Sequence, residues 1–409
     1  MGEHGGGMKK VAERLAAPPA GHRVRRPVTP EGTETFDLTY VRTGPPNAPP
    51  VLVVPGGPGM ASVFPYRGFR SLAVRRGMQL IMVEHRGIGL SRHDDAGRDL
   101  RAAALTVEQV VADLAAVLDH AGIEKALVYG SSYGTYVAQG FGLRHPERVA
   151  GMVLDSPMLT ARDNAVVRSH LRRVLWDGGV PETARSAALL RKLVAAEVVP
   201  AEQVGAVIPP VYEFAGPAAL EQLLTALQHG RGLRTWNWIA DLGTREADRP
   251  LPYAMETDLV GEIAYRELAF GAPPDGHPLD PQVQFVAAAT RHPAFAGEPY
   301  DLPAALPEFR WPTAVVSGDR DVRTPRPVAE RIAALVPDAQ LVELPGTGHS
   351  ALDTHALAAL HIAHAVAEGA ARRLPQLAPR IAKLPRRGAS RWIGPLIHAR
   401  LTAELRFPF

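Results

Sequence analysis

Gly130-Ser131-Ser132-Tyr133-Gly134 is the segment of this sequence best equipped for chemistry. It follows the apolar run Ala126-Leu127-Val128-Tyr129 and precedes Thr135-Tyr136-Val137-Ala138-Gln139, which reads as the start of a helix. A G-x-S-x-G turn between strand and helix is so tight that side chains at its two ends would clash. Its product is a serine hydroxyl, Ser132, raised above the edge of a sheet. Serine is a weak nucleophile without a base, so a histidine and a carboxylate are expected downstream. Pro345-Gly346-Thr347-Gly348-His349-Ser350 supplies His349 just after an apolar run. Ser317-Gly318-Asp319-Arg320-Asp321 supplies two competing carboxylates, Asp319 and Asp321, in the same kind of position. Together they would run acyl transfer. His349 takes the serine proton and returns it to the leaving group, while the acid fixes the imidazole tautomer. Such chemistry also needs donors for the oxyanion, each worth on the order of 10²–10³ in rate. The N–H of Tyr133 is one. The other is expected from Pro55-Gly56-Gly57-Pro58-Gly59, with Gly57 the first choice and Gly56 the second, since proline has no N–H.

These residues need a frame, and the pattern of the chain supplies one. Val51-Leu52-Val53-Val54, Leu80-Ile81-Met82-Val83, Ala126–Tyr129, Met152-Val153-Leu154, Ala314-Val315-Val316 and Leu341–Leu344 are short apolar runs of the kind that form buried parallel strands. Helical segments alternate with them. The clearest places Val107, Val110, Val111, Leu114, Val117 and Leu118 on one face, with Thr106 as N-cap and Gly122 past the end. Val24–Val28 and Thr35–Thr43, separated by Pro30-Glu31-Gly32, read as a hairpin. This is the signature of a mostly parallel, doubly wound α/β sheet. All the candidate catalytic groups then fall at carboxyl ends of strands, on one rim. Alternation lapses between about Pro157 and Arg310. There Val167–Trp176, Ala184–Val199 and Pro217–His229 read as helices, with Ile208-Pro209-Pro210 and Ala272-Pro273-Pro274 as interruptions. The expected organisation is an N-terminal extension (1–24), a catalytic domain (25–156 and 311–373), a mainly helical cap insertion (157–310) and a basic C-terminal extension (374–409). Glu84-His85-Arg86-Gly87 after the second apolar run reads as a charged turn bracing the loops, with a packing role for His85.

Composition narrows the rest. A chain of 409 residues with 46% hydrophobic and 21% charged residues is globular. The absence of cysteine excludes disulfides, thiol nucleophiles and cysteine-ligated metals. No cofactor or metal is expected: His355, His361 and His364 do not share a helical face, and serine chemistry needs none. The formal charge is only +3, yet the pI is about 9.2. The explanation is local. Residues 371–409 hold nine Lys/Arg and one acid, a charge of +8 within the total of +3, which leaves −5 on residues 1–370. An acidic body argues against nucleic acid as a partner. The start of the chain has no apolar signal segment and no run approaches a membrane span of about 20 residues, so a cytoplasmic location is expected. The tail is expected to be solvated or packed on the body, with contact to an anionic surface or acidic partner as the second reading. Ile397, Leu401 and Leu405 suggest a short amphipathic helix in it. The chemistry itself does not call for this tail.

The combination of PGGPG, EHRGIGLS, GSSYGT, VLDSP, GDRDVRTP and GTGHS resembles the α/β-hydrolase superfamily. More narrowly it is similar to the proline iminopeptidase and tripeptidyl aminopeptidase group of serine peptidases, over roughly residues 30–160 and 310–370. The resemblance implies the α/β-hydrolase fold with a helical cap, and it points to Asp321 as the triad acid. It implies an aminopeptidase that acts on short peptides through an acyl-enzyme. Such enzymes hold the substrate ammonium with cap carboxylates, for which Glu267 and then Glu262 are the candidates. Pro55 in place of histidine, and Tyr133 in place of tryptophan, follow the tripeptidyl type. Ile263-Ala264-Tyr265-Arg266-Glu267 matches that type's I-x-C-x-D cap segment only loosely. The competing reading is an esterase, lactonase or tailoring hydrolase on a small metabolite, with Trp236, Trp238, Tyr253 and Phe270 lining an apolar pocket. A binding protein without activity is a third reading, opposed by the complete triad.

Overall fold

The structure is a computed structural model that describes residues 2–248 and 251–406. Its centre is an eight-stranded sheet: β1 (Gly21–Pro27), β2 (Thr35–Thr43), β3 (Pro50–Val54), β4 (Gln79–Val83), β5 (Ala126–Ser131), β6 (Val149–Asp155), β7 (Thr313–Gly318) and β8 (Ala339–Leu344). The order across the sheet is β1-β2-β4-β3-β5-β6-β7-β8. β1 and β2 form the antiparallel hairpin, β2 joins β4 antiparallel, and all pairs from β4 through β8 are parallel.

The central strands are apolar throughout because both faces are covered. Leu52, Val54, Val128, Met152, Leu154 and Val315 point to one face. Their neighbours Val51, Val53, Leu127, Tyr129, Val153, Ala314 and Val316 point to the other. This alternation along each strand is what a two-sided core requires. Helices Val107–His120, Tyr133–Arg144 and Arg326–Leu335 fill the first layer. Helices Arg67–Val74, Ala356–Ala367 and Leu374–Ile381 fill the second. Helix Val107–His120 starts where its sequence says, with the Thr106 hydroxyl accepting from Gln109 N at 3.1 Å.

Between β6 and β7 the chain leaves the sheet. Helices Asn164–Leu175, Ala184–Ala195, Val204–Ala215, Pro217–Gln228 and Leu233–Asp248 build a separate apolar core around Leu190, Val207, Leu223 and Trp236. The interruption expected at Pro209-Pro210 is absent, and helix Val204–Ala215 runs through both prolines. A helical proline costs about 3 kcal/mol. Burial of Val204, Val207, Ile208, Val211 and Tyr212 on the same helix offsets that loss. Trp236 is fully buried here and donates to Gln203 Oε1 at 2.8 Å, so it is a core residue and does not line an open pocket.

The ends of the chain are also packed. Ala12 of helix Gly2–Leu15 is buried with Val41 and Val63. Residues 374–406 contribute to two cores. Leu374, Ala378 and Ile381 belong to the sheet's second layer, whereas Ile397 and Leu401 of helix Ile393–Arg406 belong to the cap core.

Candidate active site

Ser132 sits between β5 and helix Tyr133–Arg144 with φ 51° and ψ −121°, a conformation L-residues rarely adopt. The flanking glycines allow it. A Cβ on Gly130 would lie 2.3 Å from Gly134 O, and one on Gly134 would lie 2.0 Å from Val54 O. The Ser132 N–H donates to Asp155 O at 2.9 Å, tying the turn to the end of β6. The hydroxyl therefore stands at the helix N-terminus, where the helix dipole favours developing negative charge.

His349 Nε2 lies 2.9 Å from Ser132 Oγ. Its Nδ1 lies 3.1 Å from Asp321 Oδ2 and 3.2 Å from Oδ1. A carboxylate can only accept, so Nδ1 carries the hydrogen and Nε2 is free to accept from the serine. The backbone loops are pressed together to achieve this: a Cβ on Gly318 would lie 2.2 Å from Thr347 O. Of the two competing acids, Asp319 is exposed and Asp321 is buried against the histidine. Asp321 is further held by the N–H groups of Arg323 at 3.0 Å and Thr324 at 2.9 Å, and by the Thr324 hydroxyl at 2.9 Å. Burial pushes the Asp321 carboxyl up, but His349, the Thr324 N–H and the Ser156 hydroxyl outweigh it and hold it at about 2. Burial pulls His349 down, but the adjacent Asp321 carboxylate prevails and raises it above the usual 6.5.

The backbone N–H groups of Tyr133 and Gly57 have no hydrogen-bond acceptor among the described residues. Gly57 has φ 119°, open to glycine alone. Gly56 makes the close approach: a Cβ there would lie 3.1 Å from Ser132 Cβ. The Tyr133 side chain turns down to His85, whose Nε2 lies 3.0 Å from the phenol oxygen while its Nδ1 lies 2.6 Å from Arg86 O. Nδ1 must donate to that carbonyl, so Nε2 accepts from Tyr133. Burial, opposed by the hydrogen bond to Arg86 O, lowers His85 to about 4 and keeps it neutral. The charged turn after β4 is thus structural. Arg86 is fully buried in a two-pronged pair with Asp113 at 2.7 and 2.8 Å. Glu84 Oε2 accepts from Ser62 N and Val63 N at 2.6 and 3.0 Å, fixing the loop beyond the PGGPG turn.

The cap carboxylates fall differently from expectation. Glu267 accepts from Val107 N at 2.8 Å and pairs with Arg266 at 3.0 Å, so both of its oxygens serve the fold. Glu262 lies 3.4 Å from His292 and 3.7 Å from Arg266, and its buried Oε2 has no hydrogen-bond partner. A third cap carboxylate, Glu213, carried no signal in the sequence. It is buried in helix Val204–Ala215, with Oε1 3.4 Å from Val322 N and Oε2 3.1 Å from Arg323 Nε. Its backbone carbonyl also lies beside Gly348, next to the histidine. Burial raises the Glu213 carboxyl against the pull of Arg323. A groove of about 750 Å³ lies among Arg185, Glu221, His229 and Arg231 of the cap and Leu405 of the C-terminal helix, none of them from the triad loops. No cluster of His, Asp and Glu able to hold a metal occurs among the described residues, and no described helix is long and apolar enough to cross a membrane.

The comparisons agree with this geometry at the level of fold. Residues 49–179 match the α/β hydrolase fold family. The proline iminopeptidase of Neisseria meningitidis (serogroup A) is 34% identical over 122 residues, 30% of this chain and 37% of that protein. The homoserine O-acetyltransferase of Thermus thermophilus is 45% identical over 58 residues, 14% of this chain and 15% of that enzyme. The match thus spans little more than a third of the length of the curated iminopeptidase. The crystal structure of a proline iminopeptidase from Mycobacterium smegmatis aligns with a TM-score of 0.50 at 20% identity, covering 85% of this chain and all of that one. With its parallel sheet, its serine at the sharp turn after β5 and this matched segment, the chain is an α/β-hydrolase in fold and resembles the proline iminopeptidases in part of its length.

Proposed function

We propose that this chain is a serine hydrolase that works through an acyl-enzyme, and that its substrates are short peptides with a free amino terminus. The observation that carries the reading is the unbroken relay from Ser132 Oγ to His349 Nε2 and from Nδ1 to Asp321, at 2.9 and 3.1 Å. His349 removes the Ser132 proton as Oγ attacks the substrate carbonyl. The Tyr133 and Gly57 N–H groups receive the oxyanion. The protonated imidazole then gives its proton to the leaving amine, and a water activated by the same nitrogen releases the acyl group. The peptidase part of the reading is supported by the local similarity to proline iminopeptidases. Within it we assign the substrate ammonium to Glu262 ahead of Glu267, because of these two only Glu262 keeps a buried oxygen without a hydrogen bond. An ester substrate is the competing reading, favoured by the partial match to an acyltransferase.

A panel of prolyl, alanyl and tripeptidyl arylamides, run beside short aryl esters, tests both. Free-amine arylamides should turn over and their N-acetylated forms should not. Ser132→Ala should lower kcat by at least about 10³-fold and abolish fluorophosphonate labelling. Labelling that persists in Ser132→Ala removes the proposed nucleophile. Turnover confined to esters, with no need for an amine, replaces the peptidase reading with the esterase one.

A further inference from the structure

Helix Ile393–Arg406 has two apolar sides, and only one of them is used. Gly394, Ile397 and Leu401 are buried against the cap. Leu396 lies away from that side, and it and Trp392, which ends the turn Ala389–Trp392 just before the helix, are 52% and 60% exposed, with Ile393 at 37%. The flanking sequence is basic, with Asp353 the exposed acid that lies beside Ser390. The sequence has no acid between Glu368 and Glu404. Glu404 itself turns inward, where its carboxylate accepts from the N–H groups of Gly232, Arg234 and Thr235 at 2.9–3.0 Å. Arg380, Lys383, Arg387 and Arg391 are exposed and make no ion pair among the described residues. The Arg391 guanidinium lies 4.6 Å from the Trp392 ring centroid.

We propose that this outer face is a docking surface for an anionic lipid bilayer. An exposed face that combines a tryptophan, aliphatic side chains and the Arg391 guanidinium fits the boundary between headgroups and acyl chains. The charge argument also orients the molecule. The body carries −5 and is repelled by anionic headgroups, so only the basic face approaches them. The surface is already rigid. Arg386 donates to Gly346 O at 2.7 Å and Thr354 O at 3.3 Å, and the Ser390 hydroxyl donates to Asp353 O at 2.8 Å. Little ordering entropy remains to oppose binding.

Co-sedimentation of the full chain with vesicles tests the assignment. The protein should bind vesicles of phosphatidylcholine mixed with phosphatidylglycerol, release at high salt, and ignore phosphatidylcholine alone. Replacing Arg387 and Arg391 together by alanine should weaken binding about 30-fold. Replacing Trp392 and Leu396 together by serine should weaken it as well. Both variants should keep the wild-type melting temperature, because all four side chains are exposed. Binding that is absent, equal on both vesicle types, or unchanged in both variants overturns the proposal. So does a wild-type dimer that the Trp392/Leu396 variant dissolves, since the face would then belong to a second copy.

Discussion

At the residue scale, two carboxylates and one imidazole decide the pH behaviour of the site. Asp321, held at about 2, stays charged throughout the working range, so His349 sets the acid limb. His349 must be neutral to take the serine proton. Its folded pKa is raised, so the fraction of neutral imidazole begins to fall at a higher pH than for a free histidine. The acid limb of kcat/KM should therefore lie above 6.5. Glu213 contributes to that rise, after Asp321, through its charge. Glu213→Gln keeps an acceptor for the Val322 N–H and deletes the charge. It should move the limb to lower pH while leaving the plateau kcat close to wild type. A wild-type limb below 6.5, or a variant limb displaced upward, refutes this assignment. The contrast between Glu213 and the triad also shows what the sequence could reveal. Ser132, His349 and Asp321 stand beside glycines that the backbone needs, and those glycines make them legible. Asp319 was separable from Asp321 only by burial and by the resemblance. Glu213 reaches Val322 across 109 positions from just after the Pro209-Pro210 pair that reads as an interruption, and nothing local marks it.

At the element scale, the turn after β4 explains how the loops on the rim keep their places. Arg86 and Asp113 join that turn to helix Val107–His120 with both side chains almost fully buried, and Arg26 of β1 adds a second contact to the same carboxylate at 2.8 Å. A buried pair adds little net stability when intact, but removal of one partner leaves a charge without compensation, at about 3–5 kcal/mol. Asp113→Ala should thus melt far below wild type in a thermal scan, and Asp113→Asn should recover part of the loss by keeping an acceptor. If Asp113→Ala melts like wild type, the pair does not brace the turn. The bracing role was readable from Glu84-His85-Arg86-Gly87, whereas its partner was not, since Asp113 looks like one more polar position on an amphipathic helix. The strands and most helices were legible for a simpler reason. Their burial on one or two faces writes a period into the residue types. Helix Val204–Ala215 was misread at its prolines because local propensity was outweighed by tertiary burial, which a local pattern does not carry. Nothing local to Glu267 shows its bond either, as the N–H that donates to its carboxylate lies 160 positions away at Val107.

At the scale of the whole molecule, residues 374–406 connect parts that the sequence order keeps apart. Helix Leu374–Ile381 closes the second layer of the sheet. Arg386 and Ser390 then bond to the segment around His349, through Gly346, Thr354 and Asp353. Gly394 passes so close to Phe214 O that a Cβ there would lie 2.3 Å away. Ile397 and Leu401 end the path in the cap core. One strap thus ties the sheet, the catalytic histidine loop and the cap together. The charge that sets this segment apart in the sequence thus belongs to a segment packed on the body. Two truncations separate the consequences. Ending the chain after Arg373 uncovers Leu374, Ala378 and Ile381, and the product should be insoluble or only partly folded. Ending it after Lys383 spares the sheet and removes the strap, so the body should stay folded while the cap melts in an earlier, separate transition and kcat falls. Leu401→Ala is the milder version. It deletes a fully buried side chain, should cost about 2–5 kcal/mol, and should lower the cap's transition without moving the sheet's. Calorimetry read beside turnover distinguishes these outcomes. A chain ending after Lys383 with wild-type melting and wild-type kcat would mean that the strap carries no load, and that cap and sheet hold each other without it.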